Sequence, residues 1–307
     1  MPVVGAEATA VTWVAPGLFV SGWSTGILMV ARIDRPDPKD WAKFWELPVL
    51  EEKVAILALH HNGSLLAISS TTSVSVWLAK DSKFKVLSFF ADVPAPKSHG
   101  NVAGPVEITS VSWKGMTTTL VVSYLHHGIV GWDVSTQSIV FAHAIENAGG
   151  SLSPNGELFA AFSRQGTTVY ALPHGLRQQS FNREDSSGEC GPAIFIHNGW
   201  ALLEGRRGSG IIWDLETSRP LGPDISLEEG ENVVCLAQHY DEAGDVFLIA
   251  ITTSSQRLQI FETHRIGETG DHPSKLVRRR HHDFCVLAVL FSLGAAVTPA
   301  MCRMFSE

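Results

Sequence analysis

Apolar residues in this chain come in short runs broken by turn residues, and the runs recur in sets. Six of them end alike: Gly26-Ile27-Leu28-Met29-Val30, Ser73-Val74-Ser75-Val76-Trp77, Gly128-Ile129-Val130-Gly131-Trp132-Asp133, Thr167-Thr168-Val169-Tyr170-Ala171, Gly210-Ile211-Ile212-Trp213-Asp214 and Arg257-Leu258-Gln259-Ile260-Phe261. Each is rich in β-branched residues and has period-two character, which predicts a strand and not a helix. Their large residues Val30, Trp77, Trp132, Tyr170, Trp213 and Phe261 recur about every 46 residues, the length of one small supersecondary unit.

Two further runs precede each ending. In the second unit, residues 54–59 lead through His61-Asn62-Gly63 into residues 64–69. Asn-Gly between apolar runs predicts a hairpin, because both residues tolerate positive φ. Asn155-Gly156 does the same before residues 157–162, and the turn-forming stretch 241–245 precedes residues 246–251. A fourth run often follows, as at 85–90 and 138–142. Four antiparallel strands per unit, repeated, predict an all-β β-propeller of about six four-stranded blades, or seven with one incomplete.

The endings Trp132-Asp133 and Gly210-Ile211-Ile212-Trp213-Asp214-Leu215 resemble those of the WD40 repeat family, and the likeness runs over roughly residues 8–265. The resemblance implies a platform for protein partners. It makes Trp77, Trp132, Asp133, Trp213 and Asp214 structural repeat positions, with the three indoles buried between neighbouring blades. No Gly-His dipeptide opens a unit, so that family's buried hydrogen-bond tetrad is not expected.

Composition narrows the function. Of 307 residues, 45% are hydrophobic, enough for a sizeable core. The net charge of −8 argues against nucleic acid as a partner. The four cysteines include no C-x-x-C pair. That argues against a disulfide framework or a zinc site and suits a reducing compartment. Residues 1–7 do not read as a secretory signal, so the sequon Asn62-Gly63-Ser64 carries no weight.

Few residues suggest chemistry. The neighbours in His60-His61 and in His126-His127 would point to opposite faces of a strand, so neither pair chelates one metal ion. Gly205-Arg206-Arg207-Gly208-Ser209-Gly210 is followed by a strand and lacks the Gly-Lys-Ser/Thr ending of a phosphate loop. It reads as a hairpin turn exposing Arg206 and Arg207 to an acidic partner. Trp41 and Trp45, in a connecting loop at 40–45, form a second candidate recognition patch; Trp23 and Trp200 also fall outside the repeat frame. Glu184-Asp185 and Glu228-Glu229-Gly230-Glu231 read as solvated connectors. No carboxylate pair or Ser/His/Asp set stands out. No catalysis, cofactor, metal or small-molecule substrate is therefore expected.

Residues 284–302 carry no charge. As a helix at about 1.5 Å per residue they would reach about 28 Å, just enough for a bilayer core. Phe284, Leu287, Leu290, Phe291, Leu293, Val297 and Met301 supply its apolar surface. Lys275, Arg278, Arg279 and Arg280 precede it and Arg303 follows, which keeps the N-terminal side cytosolic. A buried strand pair turning at Ser292 and Gly294 is the alternative. The expected organisation is a propeller at 1–265, a polar and basic linker at 266–283, a membrane span at 284–302 and a short tail at 303–307. The leading expectation is a non-catalytic protein-interaction scaffold on the cytoplasmic face of a membrane, its partner unnamed; a soluble cytoplasmic scaffold is the alternative. A second reading is a guanine-nucleotide exchange factor, since a propeller with a C-terminal anchor resembles the tail-anchored factor that loads the vesicle-coat GTPase. A propeller hydrolase is the third.

Overall fold

The computed structural model describes residues 6–15, 18–32, 42–80, 83–90, 105–145, 149–182, 191–228, 230–241, 246–255, 257–264 and 277–279. Trp41 and the expected membrane segment from Phe284 to Cys302 lie outside the described residues. The architecture is all-β, with six antiparallel four-stranded blades of the propeller type. They fall into two compact units of three blades.

In the first unit, blade 1 is β1–β4 (Ala8–Ala15, Leu18–Trp23, Ile27–Arg32, Ala42–Pro48). Blade 2 is β5–β8 (Ile56–Leu59, Leu65–Ser69, Val74–Lys80, Lys83–Phe90), and blade 3 is β9–β12 (Ile108–Trp113, Thr119–Tyr124, Gly128–Asp133, Ser138–His143). In the second unit, blade 4 is β13–β16 (Gly149–Leu152, Leu158–Ser163, Gly166–Ala171, Leu176–Asn182). Blade 5 is β17–β20 (Ala193–Ile196, Ala201–Arg206, Ser209–Asp214, Ile225–Ser226), and blade 6 is β21–β24 (Val233–Asp241, Val246–Thr253, Leu258–His264, Val277–Arg279).

The repeat frame holds. Val30, Trp77, Trp132, Tyr170, Trp213 and Phe261 all lie on third strands, opposite Val20, Leu66, Leu120, Phe159, Leu202 and Ile249 of the second strands. In blades 1 to 4 the register with the fourth strand shifts at this position or beside it. A bulge there bends the outer strand and adds twist. Two expected boundaries differ. Trp45 lies on β4 and not in a connecting loop, because 42–48 pairs with β3. Blade 6 takes its fourth strand from Val277–Arg279, inside the segment expected to be a linker.

Inner strands are covered on both faces. Every residue of β10 is buried, whereas Ser138, Ile139 and Val140 on the outer strand β12 are exposed. Such sheets must be sandwiched between neighbours. Val20, Leu28, Val54, Leu66 and Ile68 share one core cluster across blades 1 and 2; Ala67, Val76, Leu120, Val122 and Tyr124 share another across blades 2 and 3. In the second unit, Val169, Phe181, Phe195 and Leu202 join blades 4 and 5, and Ile196, Leu203, Val233, Ile249 and Ile251 join blades 5 and 6.

Two inter-blade contacts depend on glycine. A Cβ on Gly205 (β18) would sit 2.6 Å from Cγ1 of Val233, and one on Gly22 (β2) would meet Val54 more closely still. Gly205→Ala should therefore cost about 1–3 kcal/mol, the range for overpacking a filled core. In urea unfolding, Gly205→Ala combined with Val233→Ala should cost less than the two single changes added together. Strict additivity would show that the contact is not tight.

Candidate functional site

An indole in a core must place its N–H, and the tryptophan-bearing blades do so in more than one way. The Trp23 and Trp77 N–H groups donate to the hydroxyls of Ser21 and Ser75, two residues earlier on the same strand, at 3.0 and 2.9 Å. Trp132 packs in the same core cluster as Tyr124, and burial pushes that phenol up to about 12. Trp113 (β9) donates to the Ala58 carbonyl of blade 2 at 2.9 Å. Trp77 and Trp132 are buried, as their place in the repeat implies, but Trp213 is only half-buried. Its N–H donates to a carboxylate, Glu204 Oε2, at 3.2 Å.

Glu204 is the most confined charge among the described residues. It is fully buried on β18. Oε2 accepts Nε and Nη2 of Arg206 at 3.2 and 3.0 Å besides the indole, and Oε1 accepts the Thr167 hydroxyl from blade 4 at 3.1 Å. The Arg206 guanidinium carbon lies 5.6 Å from the centre of the Trp213 ring, a cation–π contact. A buried carboxylate survives only when paired and hydrogen-bonded like this, and the group ties blade 4 to blade 5. Arg206, expected to be exposed, is thus turned back, with 17% of its side chain accessible. Arg207 is exposed, at a hairpin turn closed by Gly208 at φ 73°.

The aspartates of the Trp-Asp pairs shape turns. Asp133 Oδ1 accepts the Ser135 and Thr136 N–H groups, and Asp214 Oδ1 those of Glu216 and Thr217. The Ser135 hydroxyl, foremost, holds the Asp133 carboxyl below its ordinary value. Within the acidic run at 228–231, Glu231 is less solvated than expected. Glu231 is buried, accepts the Ser255 hydroxyl and lies 4.0 Å from Nε of Arg257, which also pairs with Glu228.

His60 is buried and His61 exposed. The Asn62 N–H can only donate to His60 Nδ1, at 3.2 Å, so Nε2 carries the proton and donates to the Thr117 carbonyl of blade 3 at 3.0 Å. Among the described residues no group of three or more His, Cys, Asp or Glu side chains could hold a metal ion.

The β17–β18 turn differs from the others. His197, Asn198 and Gly199 stand in succession at φ 49°, 56° and 91°, a conformation that costs non-glycine residues roughly 1–2 kcal/mol each. The Trp200 N–H closes it on the His197 carbonyl, and Leu215 N–H donates to the Trp200 carbonyl. The His197 ring packs against Phe247 of blade 6 at 4.5 Å, edge to face. The Trp200 side of the turn faces solvent: the residue is 73% exposed. The expected recognition patch at 40–45 hid this one; the available signal was a large aromatic directly after Asn198-Gly199.

No protein-family model and no curated protein sequence matches this chain. Among the described residues no helix is long and apolar enough to cross a membrane.

Burial lowers His197 to about 4 from 6.5. Between these values the unfolded chain binds a proton that the folded chain refuses. The stability linked to His197 is therefore full above about pH 6.5 and falls away as pH drops toward 4, by about 3 kcal/mol. Asparagine tolerates the left-handed backbone, so His197→Asn should lose correspondingly less stability between pH 7.5 and 4 in urea titrations. Parallel losses in both chains would show that His197 already charges in the fold.

Proposed function

We propose that the protein is a WD40-like binding scaffold that works through protein contacts and not through chemistry. The observation that carries this reading is Trp200, a large apolar ring held in solvent at the end of blade 5. Tryptophan is the side chain most enriched at interface hot spots, where covering it contributes several kcal/mol. Thr167 and Glu204 anchor the blade that presents it, and the backbone of the turn is fixed by its own hydrogen bonds. A rigid aromatic on a rigid frame loses little entropy when a partner covers it. Glu204, the buried acid nearest to being a reactive group, has both oxygens taken by donors, which suits a structural role.

The reading includes a tether at residues 284–302, supported by the uncharged run and the basic residues ahead of it.

Affinity purification of the full chain from its own cell membranes should recover a discrete partner that Trp200→Ala loses, with affinity reduced about 30-fold or more. Because the ring faces solvent, the same variant should unfold within about 0.5 kcal/mol of the parent. Identical partners at equal strength would remove Trp200 as the anchor. For the tether, the full chain should resist carbonate extraction, while a chain ending at His282, which keeps β24, should stay in the supernatant. Equal solubility of the two would end that part of the reading.

A further inference from the structure

The junction between blades 5 and 6 recurs between blades 1 and 2 with one decisive difference. In each junction a valine packs on a glycine of the preceding blade, Val233 on Gly205 and Val54 on Gly22. A glutamate stands two residues before each valine, Glu231 and Glu52. The connector donates N–H groups to the carbonyl of a left-handed glycine, Leu227 to Gly208 and Val49 with Leu50 to Gly26. The turn between the second and third strands of the next blade is closed by matching bonds, Thr253 N–H to Arg257 O and Ser70 N–H to Ser73 O. Hydroxyls of that turn reach the glutamate: Ser255 donates to Glu231, and Thr71 and Thr72 donate to Glu52 at 3.2 and 3.4 Å.

Arg257 and Ser73 thus hold the same place in the repeat. In blade 6 that place supplies a guanidinium, which lies on the connector carboxylates of Glu228 and Glu231. In blade 2 it supplies only a hydroxyl, bonded to Ser70 at 3.0 Å. A cavity of about 550 Å³ opens there, lined by Glu51 and Glu52, by Ser70 and Ser73, and by the apolar Pro48, Val49 and Leu50. None of these lining residues is basic. Lys53 is exposed but is not among them.

We infer that the blade 2 cavity receives an arginine side chain presented by a basic, extended segment of a partner protein, in the place that Arg257 fills in blade 6. The guanidinium is planar and forks onto carboxylates, and its methylene stem suits an apolar wall. The volume lies within the usual range of ligand sites and leaves room for residues on either side of the arginine. The inference stands on the first unit and goes beyond the scaffold reading, which rests on Trp200 in the second.

The test uses the full chain and a short fluorescein-labelled peptide of glycine, serine and alanine around one central arginine, read by fluorescence polarisation. Saturable binding is expected. Glu52→Gln should weaken it by about tenfold, as for loss of a charge-assisted bond. Ser73→Arg should abolish it by supplying the guanidinium from within the chain, and Trp200→Ala should leave it unchanged, which separates this site from the other reading. A peptide with uncharged citrulline in place of arginine should not bind. Four results would each overturn the inference: no saturation at millimolar protein, equal binding of the citrulline peptide, binding that survives Ser73→Arg in a chain with the parent's unfolding midpoint, or loss of binding in Trp200→Ala. Should Ser73→Arg misfold, the tenfold effect of the isosteric Glu52→Gln decides, and undiminished binding there rejects the site.

Discussion

Strands buried on both faces cannot complete their own core, and this constraint organises the rest of the molecule. β10 has no residue open to solvent, and in β6 only Leu65 is short of full burial. A lone four-stranded sheet with such strands would leave two apolar faces in water, at roughly 25 cal/mol per Å². Within each unit the middle blade is covered by one neighbour on each side, through the clusters that join blades 1, 2 and 3 and blades 4, 5 and 6. The short connector at 49–55 follows from this, since the first strand of blade 2 must land against blade 1. Gly22 and Gly205 follow too, for the landing valine occupies the space a side chain would take.

Once the faces are covered, every buried polar atom needs a partner inside the blade stack. The same third-strand position answers this need in two ways, with Ser75 and Glu204 meeting the indoles of Trp77 and Trp213. The first is neutral and leaves the ring buried. The second brings a charge, which needs Arg206, and the guanidinium then takes a seat against the indole. Trp213 is left half-open because its face is shared with a cation that keeps some contact with water. A carboxylate with this many donors favours one arrangement of blades 4 and 5 over slipped ones, since a slip strands the charge.

The periodic part of this architecture was legible from the chain alone. Period-two runs, Asn-Gly turns and the recurring large residue place the second and third strands of the blades, because those strands are dictated by burial on a fixed rhythm. What escaped depends on pairings between strands. Arg206 and Glu204 are two apart on β18 and share a face, but the indole and hydroxyl that turn this face inward come from other strands, and Glu231 meets Arg257 only across a blade junction, so Arg206 and Glu231 read as surface charges. Fourth strands were harder for another reason. Ala42–Pro48 mixes charged and aromatic residues without clean alternation, and Val277–Arg279 is short and basic, so both resemble connectors. The Trp-Asp pairs stand out in the sequence, but the role of the aspartate as a cap on turn N–H groups emerges only with the backbone in place.

Trp200 sets a different problem, because stability alone does not account for it. The turn before it holds two non-glycine residues in the left-handed region, and a different turn sequence could relax that strain. It persists because His197 is wedged against Phe247 and the neighbouring carbonyls are satisfied in place. That wedge has its own cost, an imidazole kept neutral in a dry setting with Nδ1 unpartnered among the described residues. Strain and desolvation are thus both tolerated in a turn whose outermost feature is an indole in water. Isolated surface apolar residues need no explanation, but one held out by a strained and over-determined turn is the pattern expected where a side chain is shaped for something other than the fold that carries it.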